Sequence, residues 1–309
     1  MVDKHLSFET HLSKLSKNAW LSEVDDICDD HGFFEQLGSD HFAGFLEAGN
    51  NLLVTFEDIE KVQSQNARSE PRGFTFSRHE GWSYLAIFSS SESWFRDPAV
   101  FDFFDRLVDD GFFEDFEKIV FYGAHGGGYA AAAFSVAAPG STVIALRPQA
   151  TLDAATTNWD PRYRKFRSLD FSGRYAYAPE MIEGAEQVFI AYDSTDHLDA
   201  AHAALFRQPH VTMVRCPLMG TNLDQTFDRL GILNIVIKLA MDGSLNHDRF
   251  QQLLRSRRYD DTYAIGLIEH LVRSNHMSLA RIICEYKAQR SKNPFYKAAL
   301  KDLKRADRD

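Results

Sequence analysis

Six short apolar runs divide the middle of this sequence, and they constrain its fold more than any other feature. The runs are residues 51–56, 84–89, 118–122, 142–146, 187–192 and 210–215. Most of them are continuously apolar rather than alternating, a pattern typical of strands that are covered on both faces. Strands of this kind belong to a mostly parallel sheet with helices on either side.

Helical segments lie between several of these runs. Asp97-Pro98 is a helix start signal, with Asp as the N-cap and Pro at the first helical position, and Val100, Phe104 and Leu107 form an apolar stripe behind it. Residues 128–138 and 198–206 are two further helices of the same kind. The alternation of strands and helices predicts an α/β fold with a doubly wound, mostly parallel sheet and right-handed crossovers.

The two ends of the chain have a different character. Residues 1–50 are acidic and are predicted to be helical, with Phe33, Phe34, Phe42 and Phe45 as anchors. After a closing helix at 232–241, four helical stretches at 247–255, 261–273, 277–289 and 294–304 suggest stacked αα-hairpins. We therefore predict three parts, 1–50, 51–244 and 245–309. No Pro/Gly/Ser-rich linker precedes the last part, so its helices are expected to dock on the body through Ile265, Ile268, Leu271, Ile282 and Ile283.

The most informative single stretch is IVFYGAHGGGYAAAA, which begins at Ile119. A strand leads into Gly123-Ala124-His125-Gly126-Gly127 and then directly into a helix of small residues. This is the shape of the G-x-S-x-G nucleophile elbow, in which a strained residue stands beside helix N–H groups that can hold an oxyanion. His125 occupies the serine position. The order of glycines fits no dinucleotide fingerprint, and there is no Walker lysine, so nucleotide binding is disfavoured.

From these segments a family resemblance follows. YGAHGGGYAAAAFS, ALRPQATLD, WDPRYRKFR and FIAYDSTDHLDAAHAALF, followed by the C-terminal helices, resemble bacterial α/β-hydrolase-fold proteins with a tetratricopeptide-like helical tail. Some members of that family are associated with surface-polysaccharide loci. The resemblance covers roughly residues 50 to 309, and it implies an α/β-hydrolase-like fold with a Ser-Asp-His triad in that chain order.

The catalytic residues that the resemblance implies are incomplete. Asp193 and Asp196 follow the strand where the triad carboxylate belongs, with Asp196 favoured by its offset, although either could instead cap the next helix. Asn222 stands near the place of the triad histidine, where a helix-capping role is the simpler interpretation. Because neither His125 nor Asn222 supplies the usual chemistry, two of the three roles are empty.

Substrate-binding candidates surround the same strand ends. They are Gly126 and Gly127 at the elbow, Arg147 and Gln149 in the ALRPQ stretch, Trp159, Arg162 and Arg164 in the basic aromatic segment, and His202 on the helix at 198–206. Arginines interleaved with aromatic rings can clamp an anionic or sugar-like molecule. A cap segment whose arginines pair with the acidic body is an equally good interpretation, and His202 is more often a packed helix residue.

Charge is unevenly distributed along the chain. Residues 245–309 contain 14 Lys/Arg against 8 Asp/Glu, whereas the whole protein has a net charge of −10. An acidic body disfavours nonspecific nucleic-acid binding, and the basic tail fits either an acidic protein partner or the body itself. A small-molecule or carbohydrate ligand is the other partner that the sequence leaves open. No apolar run is long enough to cross a membrane.

Three well-separated cysteines without a CxxC pair, and no secretory pattern near the start, predict a reduced, cytoplasmic protein. The histidines show no metal-binding spacing, and no metal or cofactor is predicted. The leading hypothesis is a degenerate hydrolase, a pseudoenzyme with a binding or scaffold role. The alternatives are an active hydrolase or acyltransferase that uses His125 and Asp196 on an acylated or carbohydrate substrate, and a protein that recruits partners through its tail.

Overall fold

The computed structural model describes residues 5–65 and 68–306, and its centre is one eight-stranded sheet. The strands are β1 (Gly32–Leu37), β2 (His41–Leu46), β3 (Asn51–Asp58), β4 (Ser83–Ser89), β5 (Lys118–Ala124), β6 (Thr142–Leu146), β7 (Gln187–Tyr192) and β8 (Val211–Arg215). Their spatial order is β1-β2-β4-β3-β5-β6-β7-β8. The pairs from β4 to β8 are parallel, and β1 and β2 join by antiparallel pairing.

Helices cover both faces of this sheet. Those of the body are α1 (Lys17–His31), α2 (Ile59–Gln65), α3 (Arg72–His79), α4 (Pro98–Asp109), α5 (Gly126–Phe134), α6 (Ala154–Thr157), α7 (Ala178–Met181), α8 (His197–Leu205), α9 (Leu223–Arg229) and α10 (Leu233–Met241). The central strands are buried on both sides: in β5, Phe121 belongs to the core that includes α4 and α5, and its neighbours Val120 and Tyr122 belong to the core that includes α1, α3 and α10. The predicted α/β-hydrolase-like fold class is therefore confirmed.

All six apolar runs are strands, and the helix begins as expected at Pro98, with the Asp97 carboxylate accepting a hydrogen bond from the amide of Ala99. The N-terminal prediction is wrong in part. After α1 the chain forms β1 and β2 rather than more helix, because β2 pairs along its whole length with β4, from His41 opposite Ser89 to Leu46 opposite Tyr84. The prediction for residues 1–4 lies outside the described residues.

The tail consists of α11 (His247–Leu254), α12 (Asp261–Arg273), α13 (Met277–Ala288) and α14 (Pro294–Ala306). The first of these belongs to the body, because Phe250 and Leu254 are buried in the core beneath β8. The last three form a separate apolar cluster around Ile268, Cys284 and Tyr296. The predicted docking of these helices on the body through five apolar residues is therefore wrong. Ile268 is buried in the tail cluster, Ile265, Leu271 and Ile283 pack against that cluster, and Ile282 is 58% exposed. No described helix is both long and apolar enough to span a bilayer.

Candidate functional site

His125 stands at the turn between β5 and α5, as the elbow pattern predicts. Its backbone has φ 55° and ψ −122°, a left-handed conformation that costs a non-glycine residue roughly 1–3 kcal/mol. The glycines around it are required by close approach. A Cβ on Gly123 would collide with the carbonyl oxygen of Gly127, and one on Gly127 would collide with the carbonyl oxygen of Phe56. The turn is thus built to present one side chain at the carboxyl edge of the sheet.

The imidazole of His125 is held by a cation. Nη1 of Arg147 lies 2.9 Å from Nδ1 of His125. Because a guanidinium can only donate, Nδ1 accepts and the ring proton is on Nε2. Burial, together with the nearby charge of Arg147, lowers the pKa of His125 to about 3, so the ring is neutral at pH 7.

Arg147 begins a chain of buried ion pairs that extends away from the elbow. Its Nε lies 2.5 Å from Oδ2 of Asp199, and Oδ1 of the same carboxylate lies 2.6 Å from Nη1 of Arg162. Arg162 also binds Asp160, at 2.7 Å. Asp160 in turn lies 3.1 Å from Nε2 of His202. Alternating charges of this kind stabilise one another in a poorly solvated interior, and breaking one link leaves an uncompensated charge.

The two predicted carboxylates have structural partners. Asp193 accepts hydrogen bonds from the amides of Thr195, Leu218 and Gly220 at 2.8, 3.1 and 3.0 Å, and thereby fixes the loop after β8. Asp196 caps α8 by accepting from the amides of Leu198 and Asp199, and its other oxygen lies 3.3 Å from Nη1 of Arg162. Within the described residues, neither carboxylate contacts His125.

Asn222 precedes α9, but its side chain makes no capping hydrogen bond there. It lines the pocket above the elbow instead. Asn222 thus occupies the N-cap position of α9, as predicted, but does not cap the helix with its side chain.

Sequence reasoning missed Asp224, two positions further on. Its Oδ1 lies 3.9 Å from Nε2 of His125, and this buried oxygen accepts no hydrogen bond from any described residue. Burial raises the pKa of this carboxyl group above its usual value. The only signal in the sequence was its position, after the last strand, where the resemblance places the triad base. The turn after β5 and the start of α9 thus bring an imidazole and a buried carboxylate to within 3.9 Å of each other.

These residues open into a pocket of about 340 Å³. The candidates Gly126, Gly127 and Arg147 line it together with other side chains. Those include Phe56, Lys61, Arg72, Ser93, Trp94, Phe95, Tyr122, Tyr163 and Asp224. The pocket wall is therefore partly aromatic and partly charged, as is common where a small polar molecule binds.

The remaining substrate-binding candidates do not line this pocket. Gln149 is fully buried, and its amide lies 3.4 Å from the hydroxyl of Tyr163. Trp159 packs its ring on His202, at 4.6 Å between centroids, and Arg164 is exposed. Arg162 belongs to the ion-pair chain described above, and His202 forms a hydrogen bond with Asp160 at the end of that chain. Among residues 5–65 and 68–306, no group of three or more His, Cys, Asp or Glu side chains is placed to hold a metal ion.

Comparison with known proteins gives similarity in structure only. No family model and no curated protein matches this chain. The capsule O-acetyltransferase of Neisseria meningitidis serogroup A is similar at a TM-score of 0.41 and 11% identity, covering 62% of this chain and 90% of that one. Brefeldin A esterase, a bacterial homologue of human hormone-sensitive lipase, gives 0.43 and 12%, covering 70% and 74%. A fluorophosphonate-binding serine hydrolase of Staphylococcus aureus gives 0.42 and 11%, covering 68% and 94%. At such scores and identities no activity transfers, and the fold assignment rests on this chain's own topology.

Proposed function

We propose that this protein is a degenerate hydrolase that binds a small, neutral, sugar-like molecule in the pocket above His125, with no covalent step at the elbow. The observation that carries this proposal is the hydrogen bond from Arg147 to Nδ1 of His125. A neutral imidazole has one basic lone pair, and here Arg147 occupies it. His125 is thus neither a nucleophile nor a general base, and its Nε2–H is left as a hydrogen-bond donor toward the pocket.

The pocket supplies the rest of a binding site for hydroxyl groups. Trp94, Phe95 and Tyr163 provide flat apolar surface, while Lys61 and Asn222 provide donors. The unpartnered Oδ1 of Asp224 is an acceptor that a ligand hydroxyl would satisfy. Unsatisfied buried acceptors are costly, so a ligand that donates to this oxygen gains affinity.

Charge favours a neutral ligand over an anion. The pocket lining contains six carboxylate side chains, Glu57, Asp58, Glu70, Glu92, Asp224 and Asp228, but only three cationic ones, Lys61, Arg72 and Arg147. Salt bridges remove charges of both signs, because Arg72 pairs with Asp228, Arg147 with Asp199, Glu70 with Arg78 and Glu92 with Lys165. Glu57, Asp58 and Asp224 then remain against Lys61. An anionic substrate would therefore meet net repulsion at the pocket wall.

The alternative of an active enzyme using His125 and Asp196 has less support. Asp196 is engaged in capping α8 and in contact with Arg162, and it lies on the far side of the ion-pair chain from the elbow. A partner-recruiting role for the basic tail stays a prediction from charge patterning.

Ligand-observed NMR, followed by calorimetry, tests the proposal. The probes are neutral monosaccharides and their N-acetyl and O-acetyl derivatives, beginning with N-acetylglucosamine. Lys61→Met and Asn222→Ala should each weaken binding at least ~10-fold, which corresponds to the loss of about one hydrogen bond. Lys118→Met is the matched control, because Lys118 is exposed at the opposite end of β5. Failure of every sugar to bind, or equal affinity in the pocket variants and the control, would contradict the proposal.

A further inference from the structure

The geometry points to a second, unassigned site in the same pocket: Ser93, His41 and Asp97 are placed to carry out acyl transfer from a carboxylic ester. His41 is the first residue of β2 and lies opposite Ser89, the last residue of β4. Ser93 and Asp97 belong to the loop that connects β4 to α4. The inference goes beyond the proposed ligand binding, because none of these three residues belongs to the elbow.

The contact between the first two residues is direct. Oγ of Ser93 lies 2.6 Å from Nε2 of His41, whose ring is buried, while Ser93 itself is half-exposed and lines the pocket. On the other side of the ring, Nδ1 lies 3.8 Å from Oδ2 of Asp97. The hydroxyl, imidazole and carboxylate thus follow one another in the order of a nucleophile, its base and an orienting acid.

The environment of Nδ1 indicates where the ring proton lies. This atom is buried and has no hydrogen-bond partner in the described chain. A lone pair there would face the Asp97 carboxylate and be repelled, whereas an N–H is attracted to it. The proton is therefore placed on Nδ1, which leaves Nε2 free to accept the hydroxyl proton of Ser93. Burial also lowers the pKa of His41, so the imidazole is neutral and available as a base at pH 7.

One backbone donor lies beside the proposed nucleophile. The amide N–H of Phe95 donates to Oγ of Ser93 at 3.2 Å, whereas the hydroxyl of Ser89, 2.8 Å from that oxygen, donates to the carbonyl oxygen of Ser91. The next two residues, Trp94 and Phe95, both have left-handed backbones, with φ 57° and 55°. Strain of this kind in bulky residues is concentrated at functional sites. The ring of Trp94 also packs close to Gly126, so this loop lies against the N-terminus of α5, whose first amides have no intrahelical acceptors.

The reaction would proceed in two balanced steps. Oγ of Ser93 attacks the ester carbonyl carbon while its proton passes to Nε2 of His41, and that proton then leaves with the alcohol as the ester C–O bond breaks. Water next attacks the acyl-serine and gives a proton to His41, which returns it to Oγ as the carboxylic acid departs. Asp97 orients the imidazole and stabilises the imidazolium in both steps.

The test is covalent labelling of the full-length protein with a fluorophosphonate probe, followed by peptide mapping. We expect a single adduct on Ser93. Hydrolysis of p-nitrophenyl acetate should fall at least ~100-fold in kcat/KM for Ser93→Ala and for His41→Asn. Asp97→Asn should cost at least ~10-fold while leaving α4 intact, since Asn is as good an N-cap as Asp. Ser90→Ala is the matched control, because Ser90 belongs to the same loop but does not line the pocket.

Labelling of the wild-type chain requires no variant to fold, so the outcome is decisive either way. An absent adduct, an adduct on another residue, or hydrolysis that survives Ser93→Ala in a variant with an unchanged melting temperature would overturn the assignment. These results are independent of sugar binding by Lys61 and Asn222. A labelled Ser93 without sugar binding would therefore overturn only the proposed function, and the converse only this inference.

Discussion

The guanidinium of Arg147 donates a hydrogen bond to Nδ1 of His125 at 2.9 Å, and this contact decides what the elbow can do. It fixes the tautomer of the imidazole, occupies its lone pair and adds positive charge beside it. The same guanidinium is held by Asp199, so the position of His125 depends on the whole ion-pair chain that continues through Arg162. On the proposed function, His125 acts as a fixed hydrogen-bond donor rather than as a nucleophile.

This arrangement predicts a specific dependence of stability on pH. The pKa of His125 is lowered to about 3, against an ordinary value near 6.5 in the unfolded chain. Between these values the unfolded state binds more protons than the folded state, so the free energy of unfolding must fall as the pH is lowered through this window. His202, whose pKa burial lowers to about 4, acts in the same direction.

Urea denaturation from pH 7 to pH 4 measures this effect. The slope of stability against pH should become smaller in a His125→Gln variant, which keeps a polar side chain that does not titrate. An exposed histidine replaced in the same way, His247→Gln, should leave the slope unchanged. An NMR titration in which His125 becomes protonated near pH 6 would contradict the prediction directly.

Removal of Arg147 should be strongly destabilising. The side chain is buried, and its loss leaves Asp199 with Arg162 as its remaining ionic partner and Nδ1 of His125 without a donor. We expect Arg147→Ala to lower the free energy of unfolding by about 3–5 kcal/mol, the range for breaking a buried ion pair. Arg164→Ala, in the same basic region but exposed, should change it by no more than about 0.5 kcal/mol. Equal effects in the two variants would show that the ion-pair chain contributes little.

The sheet could be predicted from sequence because its central strands are buried on both faces, which leaves continuous apolar runs such as TVIAL in β6. The turn at His125 could also be predicted, because the close backbone approach there requires glycines at fixed positions. In contrast, β1 is half-exposed along most of its length, and β2 owes its conformation to pairing with β4, some forty residues away in sequence. Local pattern carries no signal of that pairing.

The candidate site was only partly predictable for the same reason. His125 and Arg147 stand at strand ends that the parallel topology brings to one edge. The contact of His125 with Asp224 depends instead on how α9 packs after β8, and the contact of His41 with Ser93 depends on the antiparallel pairing of β2. Asp193 and Asp196 occur where the resemblance places them, but the local backbone amides engage both. A carboxylate at a strand end is thus equally able to fix a loop.

Replacing Asp224 should raise the free energy of unfolding, whereas most substitutions of buried residues lower it. Its carboxyl group has a raised pKa because burial penalises the charged form, and Oδ1 has no hydrogen-bond donor in the described chain. In the folded state the carboxyl group binds a proton more readily than in the unfolded state. Its contribution to stability is therefore lost as the pH rises from the ordinary pKa of an aspartate through the raised pKa of the folded state. Asp224→Asn should therefore stabilise the protein at pH 7 by about 1 kcal/mol and by less at pH 4.

Asp228→Asn is the matched control for this change. Asp228 lies on the same helix but is partly exposed and paired with Arg72, so its neutral variant should lose about 0–1 kcal/mol rather than gain stability. Thermal melts of both variants at pH 4 and pH 7 give the comparison. A loss of stability at pH 7 in Asp224→Asn would mean that the carboxylate is satisfied in solution.

The tail should behave as two units. Phe250 on α11 is fully buried in the body core, whereas α12, α13 and α14 pack mainly on one another around Tyr296. Truncation after Asp260 should therefore leave the body folded with a nearly unchanged melting temperature. Truncation after Ser244 exposes the core beneath β8 and should lower stability and solubility.

Phe250→Ala should reproduce that loss of stability in the full chain, at about 3–5 kcal/mol. Ile282→Ala, at an exposed position on α13, should change it by no more than about 0.5 kcal/mol. Equal losses of melting temperature in the two truncated proteins would show that the last three helices stabilise the body, and contacts between the basic tail and the acidic body would then be the expected cause.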